Sequence, residues 1–280
     1  MSEDDDNRLI DAILASGVKI PPMPTVLLDV LALERDDDAG AREYAEVIGG
    51  DPAMAGAIFR VVGSPVMGLR AKVDSLEKAI TLLGLRTTVA VVRSEGLRGA
   101  LHDPALIQVM NTLWARMHAV ADFVLATVRL VRLRGLREDL AYQAGIFHDC
   151  GLAVLCRRDP AYAQAFRDAA IWPDLAALDA AHQTNHAVVG LMVARNWQLP
   201  QEVADTIRQH HHGHPDQLPE RVRALITLVQ FACHLLAQRA GADDREWVTV
   251  WRPHAEALFK STDHTLAEVE ATLLQANALT

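Results

Sequence analysis

The sequence predicts an all-α protein, with an N-terminal helical subdomain packed on a second helical bundle. Apolar residues recur at spacings of three and four along most of the chain, the period of helices with one buried face. Half of the 280 residues are apolar and only 5% aromatic, and Ala, Leu and Val dominate, as packed helices favour. Strand-like alternation is missing; the short valine run Val89 to Val92 fits a buried helix equally well.

The elements follow in order. Ile20 to Pro24 (IPPMP) is a rigid extended lead-in, because its prolines cannot sit inside a helix. Met23, Val26, Leu27, Val30 and Leu31 then mark a helix with one buried face, and Asp36 to Gly40 is a polar loop. Tyr44, Val47 and Ile48 restart the rhythm. Asp51-Pro52 supplies an N-cap acid and a proline at the first helical position, ahead of Met54, Ala57, Ile58, Val61 and Val62. Gly63-Ser64-Pro65 ends that helix, and Gly68 marks the next loop. Asp74-Ser75 caps a helix through Leu83, broken at Gly84, and Arg86 to Leu97 forms another. Asp103-Pro104 repeats the capping device and opens a long helix toward Arg134.

A subdomain boundary near there divides the chain into 1–105 and 106–280. No Gly/Ser-rich linker separates them, so the halves are expected to pack tightly. The second half reads as helices near Arg137–Cys156, Pro160–Ala170, Asn185–Asn196, Pro200–His210, Pro219–Ala240, Trp247–Phe259 and Thr265–Ala278.

Composition excludes several function classes. No apolar run reaches eighteen residues, so no membrane span is expected. The start, MSEDDDNRLIDAIL, is acidic where a secretory signal would be basic, so the chain reads as cytoplasmic. Cys150, Cys156 and Cys233 form no C-x-x-C pair and read as thiols in a reducing compartment. The formal charge of −9 is a poor match for nucleic-acid phosphates. The basic stretch Arg129 to Arg137 reads as a solvated helix end leading to Gly135. P-loop, G-x-S-x-G and dinucleotide-binding glycine motifs are all missing.

Twelve histidines are the chemical signal. His148-Asp149 lies inside the apolar run AGIFHDCGLAVL, where both side chains need partners if buried. His182 and His186 stand four apart, at a helix start capped by Thr184 or Asn185. His210, His211, His212 and His214 cluster where the Pro200 helix ends, and His118 and His234 sit in helices. Imidazole and carboxylate together suit Zn, Mn or Fe. Each histidine also has a purely structural account. His210 and His211 stabilise a helix C-terminus, His186 bonds a helix end, and His212 and His214 form an exposed turn.

Taken in order, these segments resemble the HDOD family, the HD-related output domains, over roughly Ile20 to Leu236. IPPMPTVLLDVLAL resembles its opening L-P-P-x-P segment. IGGDPAMAGAIFRVVGSPVMG resembles its D-P-x-L-x-x-x-L-L-x-x-x-N-S-x-x-x-G block, and SLEKAITLLGLRTTVAVV its S-x-x-x-A-I-x-x-L-G helix pair. LWARMHAVA, AGIFHDCGLAVL, NHAVVGLMVARNWQLP and IRQHH follow as the HD-like half.

The resemblance implies a helical N-terminal subdomain on a degenerate HD-like bundle, acting in bacterial signalling. HD phosphohydrolases use a His, a His-Asp pair and a later Asp around one or two metals. The pair falls on His148-Asp149, but the first histidine falls on Arg116 and the final aspartate on Cys233. His118 cannot substitute, since two helical positions rotate it by about 200°. His186, His210 and His211 match family histidines that line the same cleft. A guanidinium offers a cation no lone pair; Arg116 could instead pair with Asp149 and hold the relic site shut. The G-Y-P element of cyclic-dinucleotide-cleaving relatives is missing.

Three readings result. The first is a non-catalytic signalling module, a pseudo-enzyme with no cofactor or metal, that binds a signalling protein in a stress, motility or two-component pathway. IPPMP, the cleft between halves and the Trp247–Phe259 helix offer contact surfaces, although Trp251 and Phe259 are better core than contact residues. The second is a weak metal-dependent phosphohydrolase or phosphodiesterase using His148, Asp149, His186, His210 and His211. The third is a nucleotide or anion sensor without turnover, with Arg116 as the phosphate contact.

Overall fold

Helix starts in the computed structural model follow the capping chemistry. It describes residues 3–15, 17–64, 67 and 73–276, so Pro65, Gly68 and Ala278 lie outside the described residues. Among those described there is no strand. The order is α1 (Glu3–Ala15), α2 (Thr25–Leu33), α3 (Ala41–Gly49), α4 (Pro52–Val62), α5 (Leu76–Leu83), α6 (Leu85–Ala100), α7 (Ile107–Val131) and α8 (Glu138–Phe147). α9 (Cys150–Arg158), α10 (Pro160–Asp168), α11 (Leu175–Ala181), α12 (His186–Asn196), α13 (Gln201–Gln209), α14 (Glu220–Arg239), α15 (Arg252–Phe259) and α16 (Leu266–Ala276) follow.

Asp51 accepts from the N–H groups of Ala53 and Met54 ahead of Pro52, and all five apolar residues assigned to the inner face of α4 are buried. Ser75 accepts from Lys78 to start α5. Gly84 joins α5 to α6 at φ +78°, a left-handed conformation that favours glycine.

Four features of the helices differ from expectation. Asp103-Pro104 opens a 3₁₀ turn, Pro104–Leu106, and α7 begins behind it. The single helix expected over Arg137–Cys156 is two helices, broken at His148-Asp149, where Asp149 adopts φ −107°, ψ 16°. α11 is an addition, started by Asp174 accepting from Ala177. A π turn, Trp247–Trp251, precedes α15.

The two halves share one apolar core. Within α6, every residue from Thr87 to Leu97 is buried, because the helix packs against α2, α4, α5 and α8. Its buried charged residues are paired: Arg93 with Glu34 at 3.3 Å, and Glu95 with Arg60 at 3.2 Å and with Arg98. The IPPMP lead-in is free only in part: Pro22 is exposed, while Ile20, Met23 and Pro24 are partly covered. Pro21 is buried, and its carbonyl accepts from Trp197 Nε1 at 2.9 Å. Trp247, Trp251 and Phe259 are core residues, so the Trp247–Phe259 segment turns its aromatics inward. Cys150, Cys156 and Cys233 are free thiols.

Glycines set the closest approaches in the second half. A Cβ on Gly145 would lie 2.6 Å from Ala121 Cα, and one on Gly151 would lie 2.1 Å from the His186 carbonyl oxygen. α8 therefore runs directly on α7, and α9 on α12. Gly151→Ala is expected to cost about 3 kcal/mol, since backbone must move to admit the methyl, and urea unfolding reads it.

Asp122, on α7, offers a pH test. Burial raises its pKa to about 6, against a hydrogen bond from Ser64 and the charge of Arg60. A carboxyl whose folded pKa is raised favours the folded state below its unfolded value and loses that contribution as pH rises through about 6. The stability of wild type relative to Asp122→Asn is therefore expected to rise by about 1–2 kcal/mol from pH 7 to pH 5. Parallel denaturant titrations at the two pH values measure the difference.

Candidate functional site

The break between α8 and α9 places His148 and Asp149 at the floor of a cleft of about 830 Å³. All seven residues singled out from the sequence line it: Arg116, His148, Asp149, His186, His210, His211 and Cys233. His186 starts α12 behind Asn185, whose side chain accepts from Val188. Asn185, rather than Thr184, is thus the cap. His210 ends α13, and Cys233 projects from α14.

The four cleft histidines share one feature: each Nδ1 meets an oxygen 2.7 Å away. The acceptors are the carbonyls of Gly145 for His148 and Ile207 for His210, and the carboxylates of Asp179 for His186 and Glu246 for His211. Since those oxygens can only accept, each Nδ1 carries the proton and donates it. In the neutral ring, Nε2 keeps its lone pair.

These Nε2 atoms converge on Asp149. His186 Nε2 and His210 Nε2 lie 3.4 Å apart, and 3.6 and 3.4 Å from Asp149 Oδ1. That oxygen is buried with no hydrogen-bond donor. Asp149 Oδ2 meets His148 Nε2 at 3.1 Å, so His148 orients the carboxylate and turns Oδ1 toward the other two rings. Donor atoms of Asp149, His186, His210 and His211 all lie within 4.8 Å of one another.

This donor set fits a metal. Ligand atoms about 2.0–2.1 Å from a tetrahedral cation stand about 3.4 Å apart, matching the His186, His210 and Asp149 separations. Two lone pairs and a carboxylate oxygen facing one another repel unless a proton or cation lies among them. Three imidazoles with one carboxylate suit Zn, Fe(II) or Mn(II).

Electrostatics follow the same geometry. Burial disfavours a charged Asp149, but His148 beside it outweighs that and holds its carboxyl well below the usual range. Burial likewise works against charge on His148, yet Asp149 and Cys233 raise its pKa to about 10. Desolvation and neighbouring His211 push His210 down to about 4, which keeps its Nε2 lone pair free. Desolvation opposes charge on His211 also, but Glu246 raises its pKa. His211 is the most exposed of the four, at the cleft mouth.

The remaining sequence candidates disperse. His118 faces away from the cleft, as the helical rotation predicts; burial, then the charge of Arg60, lower its pKa to about 4. His182 bonds Asp159 at 2.8 Å, His234 stacks on Trp247, and His212 and His214 form the exposed turn. The Arg116–Asp149 ion pair does not form. Arg116 lies over the Trp172 ring, 4.4 Å from its centroid, while His148 takes the Asp149 carboxylate. Cys233 Sγ is 3.8 Å from His148 Nε2, not beside the His186–His210 donors.

Several site residues escaped sequence reasoning. Asp179 anchors His186 through both its ring and its backbone N–H, and accepts from Tyr162 as well. Glu246 anchors His211, and Gln230 donates to the His210 carbonyl. Asp174, a capping acid just after Pro173, signalled α11 and with it the inward turn of Asp179.

Carboxylates behind ligating histidines fix ring orientation and basicity, and their loss costs about 10–100-fold in metal affinity. Asp179→Asn is expected to weaken metal uptake by that factor while keeping the fold, as read by competition with a chromogenic chelator.

Comparison with known proteins gives this arrangement its relatives. Residues 20–213 match the family model of the HDOD domain. An uncharacterized protein of Treponema pallidum (strain Nichols) is 26% identical over 220 residues, 76% of this chain and 41% of that protein. The chain thus spans about two fifths of that curated relative's length. An HDOD domain protein of unknown function from Geobacter sulfurreducens superposes with a TM-score of 0.69 at 19% identity, over 99% of this chain and 97% of its own. A "Putative phosphohydrolase" from Shewanella amazonensis SB2B gives 0.66 at 20%, over 94% and 93%. A "Putative signal transduction protein" from Marinobacter aquaeolei VT8 gives 0.68 at 17%, over 95% and 58%. At such identities the structural likenesses speak for the fold alone.

Proposed function

The chain belongs to the HDOD domain family, and from that premise we propose a regulatory signalling module that holds one transition-metal ion and acts through a protein partner rather than by turnover. One observation carries the metal: the lone pairs of His186 and His210 and the unpartnered Asp149 Oδ1 face one another at 3.4–3.6 Å. Asp149, His186, His210 and His211 would hold the ion, and His148 would orient Asp149. This departs from the metal-free relic expected from the sequence, because Arg116 and Cys233 leave the His186–His210 side of the cleft intact.

The same two residues argue against hydrolysis. Phosphoester cleavage by paired metals needs donors for two ions about 3.5–4 Å apart. Arg116 has no lone pair to give, and Cys233 lies against His148. In such a site a bound metal supplies a Lewis acid. The chain's own groups supply orientation of the four donors and a fixed cation, Arg116, facing the same cleft. Membership of the HDOD family, the HD-related output domains, supports a regulatory role.

Elemental analysis of untagged protein offered Mn, Fe and Zn tests the proposal. About one equivalent is expected in the wild type and less than about a tenth in Asp149→Ala or His186→Ala. Wild-type protein without metal would sink the metal site. Metal-loaded protein is expected to leave bis(p-nitrophenyl) phosphate intact; turnover abolished by Asp149→Ala would establish the phosphodiesterase reading instead.

A further inference from the structure

Holding a metal makes no use of Arg116. Its guanidinium lies on Trp172, which is itself fixed by an edge contact with Phe166 at 4.8 Å. Arg116 Nε is buried without a hydrogen-bond partner, and no carboxylate among the described residues pairs with the side chain. Arginine stays charged at any accessible pH, and a part-buried cation with unfilled donors costs free energy until an acceptor meets it. With Nε buried and the ring of Trp172 beneath it, the guanidinium has its terminal N–H groups open to a ligand in the cleft that it lines.

An acceptor that serves both this fork and a divalent cation held in the same cleft needs at least three oxygens. A carboxylate has two and a phosphate monoester three, which allows a bidentate pair to arginine with one oxygen to spare. The cleft, at about 830 Å³, falls in the range that encloses an organic molecule, not a bare anion. Ile171, Trp172, Pro173, Leu175 and Val250 give it an apolar wall. Asp174, Asp243 and Asp244 add acid to its lining, which disfavours a polyphosphate by like-charge repulsion.

We infer that the cleft binds a small organic phosphate monoester of nucleotide size, its phosphate shared between Arg116 and the metal proposed at Asp149, His186, His210 and His211. The inference rests on the metal-holding reading for the second of these contacts.

The test is calorimetric titration of the full chain, loaded with Mn, against inorganic phosphate, adenosine 5′-monophosphate and adenosine, with metal content measured on the same samples. Phosphate and the monophosphate are expected to bind and adenosine is not. Arg116→Gln is expected to weaken both by roughly ten- to hundredfold at unchanged metal content and unchanged unfolding midpoint. Arg116→Lys, a point charge without the fork, is expected to recover only part of the loss. Metal at one equivalent with no phosphate binding would overturn this inference alone, as would equal binding by wild type and Arg116→Gln. Failure of the wild type to take up metal would instead overturn the metal reading.

Discussion

The backbones of α9 and α12 touch at Gly151, where a Cβ would sit 2.1 Å from the His186 carbonyl oxygen, and that contact sets the scale of the site. Asp149 stands two residues before Gly151 and His186 opens the facing helix, so the two donors cannot be farther apart than the helices allow. α13 is drawn in by the same means: a Cβ on Gly190 would meet Ile207 Cγ2 at 2.6 Å, and His210 follows three residues later. Side chains that meet at 3.4–3.6 Å are thus held by close packing of their helices rather than by their own attraction, which is what preorganisation requires.

The structural and chemical accounts of the histidines turn out to be compatible. His210 satisfies the Ile207 carbonyl at the end of α13, the dipole-stabilising role expected of a helix-terminal histidine, and the same bond commits its tautomer. A group that does structural work with one nitrogen is left with the other pointing at Asp149. The buried carboxylate gains from this too, because His148 partners one oxygen while the second has none. Burial of a half-satisfied carboxylate is costly, and here the cost is concentrated where a ligand can relieve it.

Much of the fold was legible because caps and periodicity act locally. Asp51-Pro52 and Ser75 fixed helix starts without reference to anything distant, and the inner face of α4 followed from spacing alone. The seven cleft residues were recoverable because the motifs that carry them lie in a recognisable order. Their pairing was not. Whether Arg116 meets Asp149 or Trp172 depends on the path of the segment between α10 and α11, which no local rule fixes. Asp179 was hidden for a related reason: an aspartate in an alanine-rich stretch looks like a solvated face until α11 turns it inward. The break at His148-Asp149 was masked by an apolar run continuous enough to read as one helix.

The junction of Pro24, Gly96 and Trp197 bears on how the chain is assembled. A Cβ on Gly96 would lie 3.1 Å from Pro24 and 3.4 Å from the Trp197 ring, and Trp197 also donates to the Pro21 carbonyl. α1, the first element described, packs on α12. α1 and the lead-in to Pro24 therefore pack against α12 and the Trp197 that follows it. Such a chain is clasped: the second half completes its surface with α1 and the lead-in to Pro24. During synthesis those residues must wait for α12 to emerge before they find their seat, so the clasp closes late, after most of the chain between its two ends has been made.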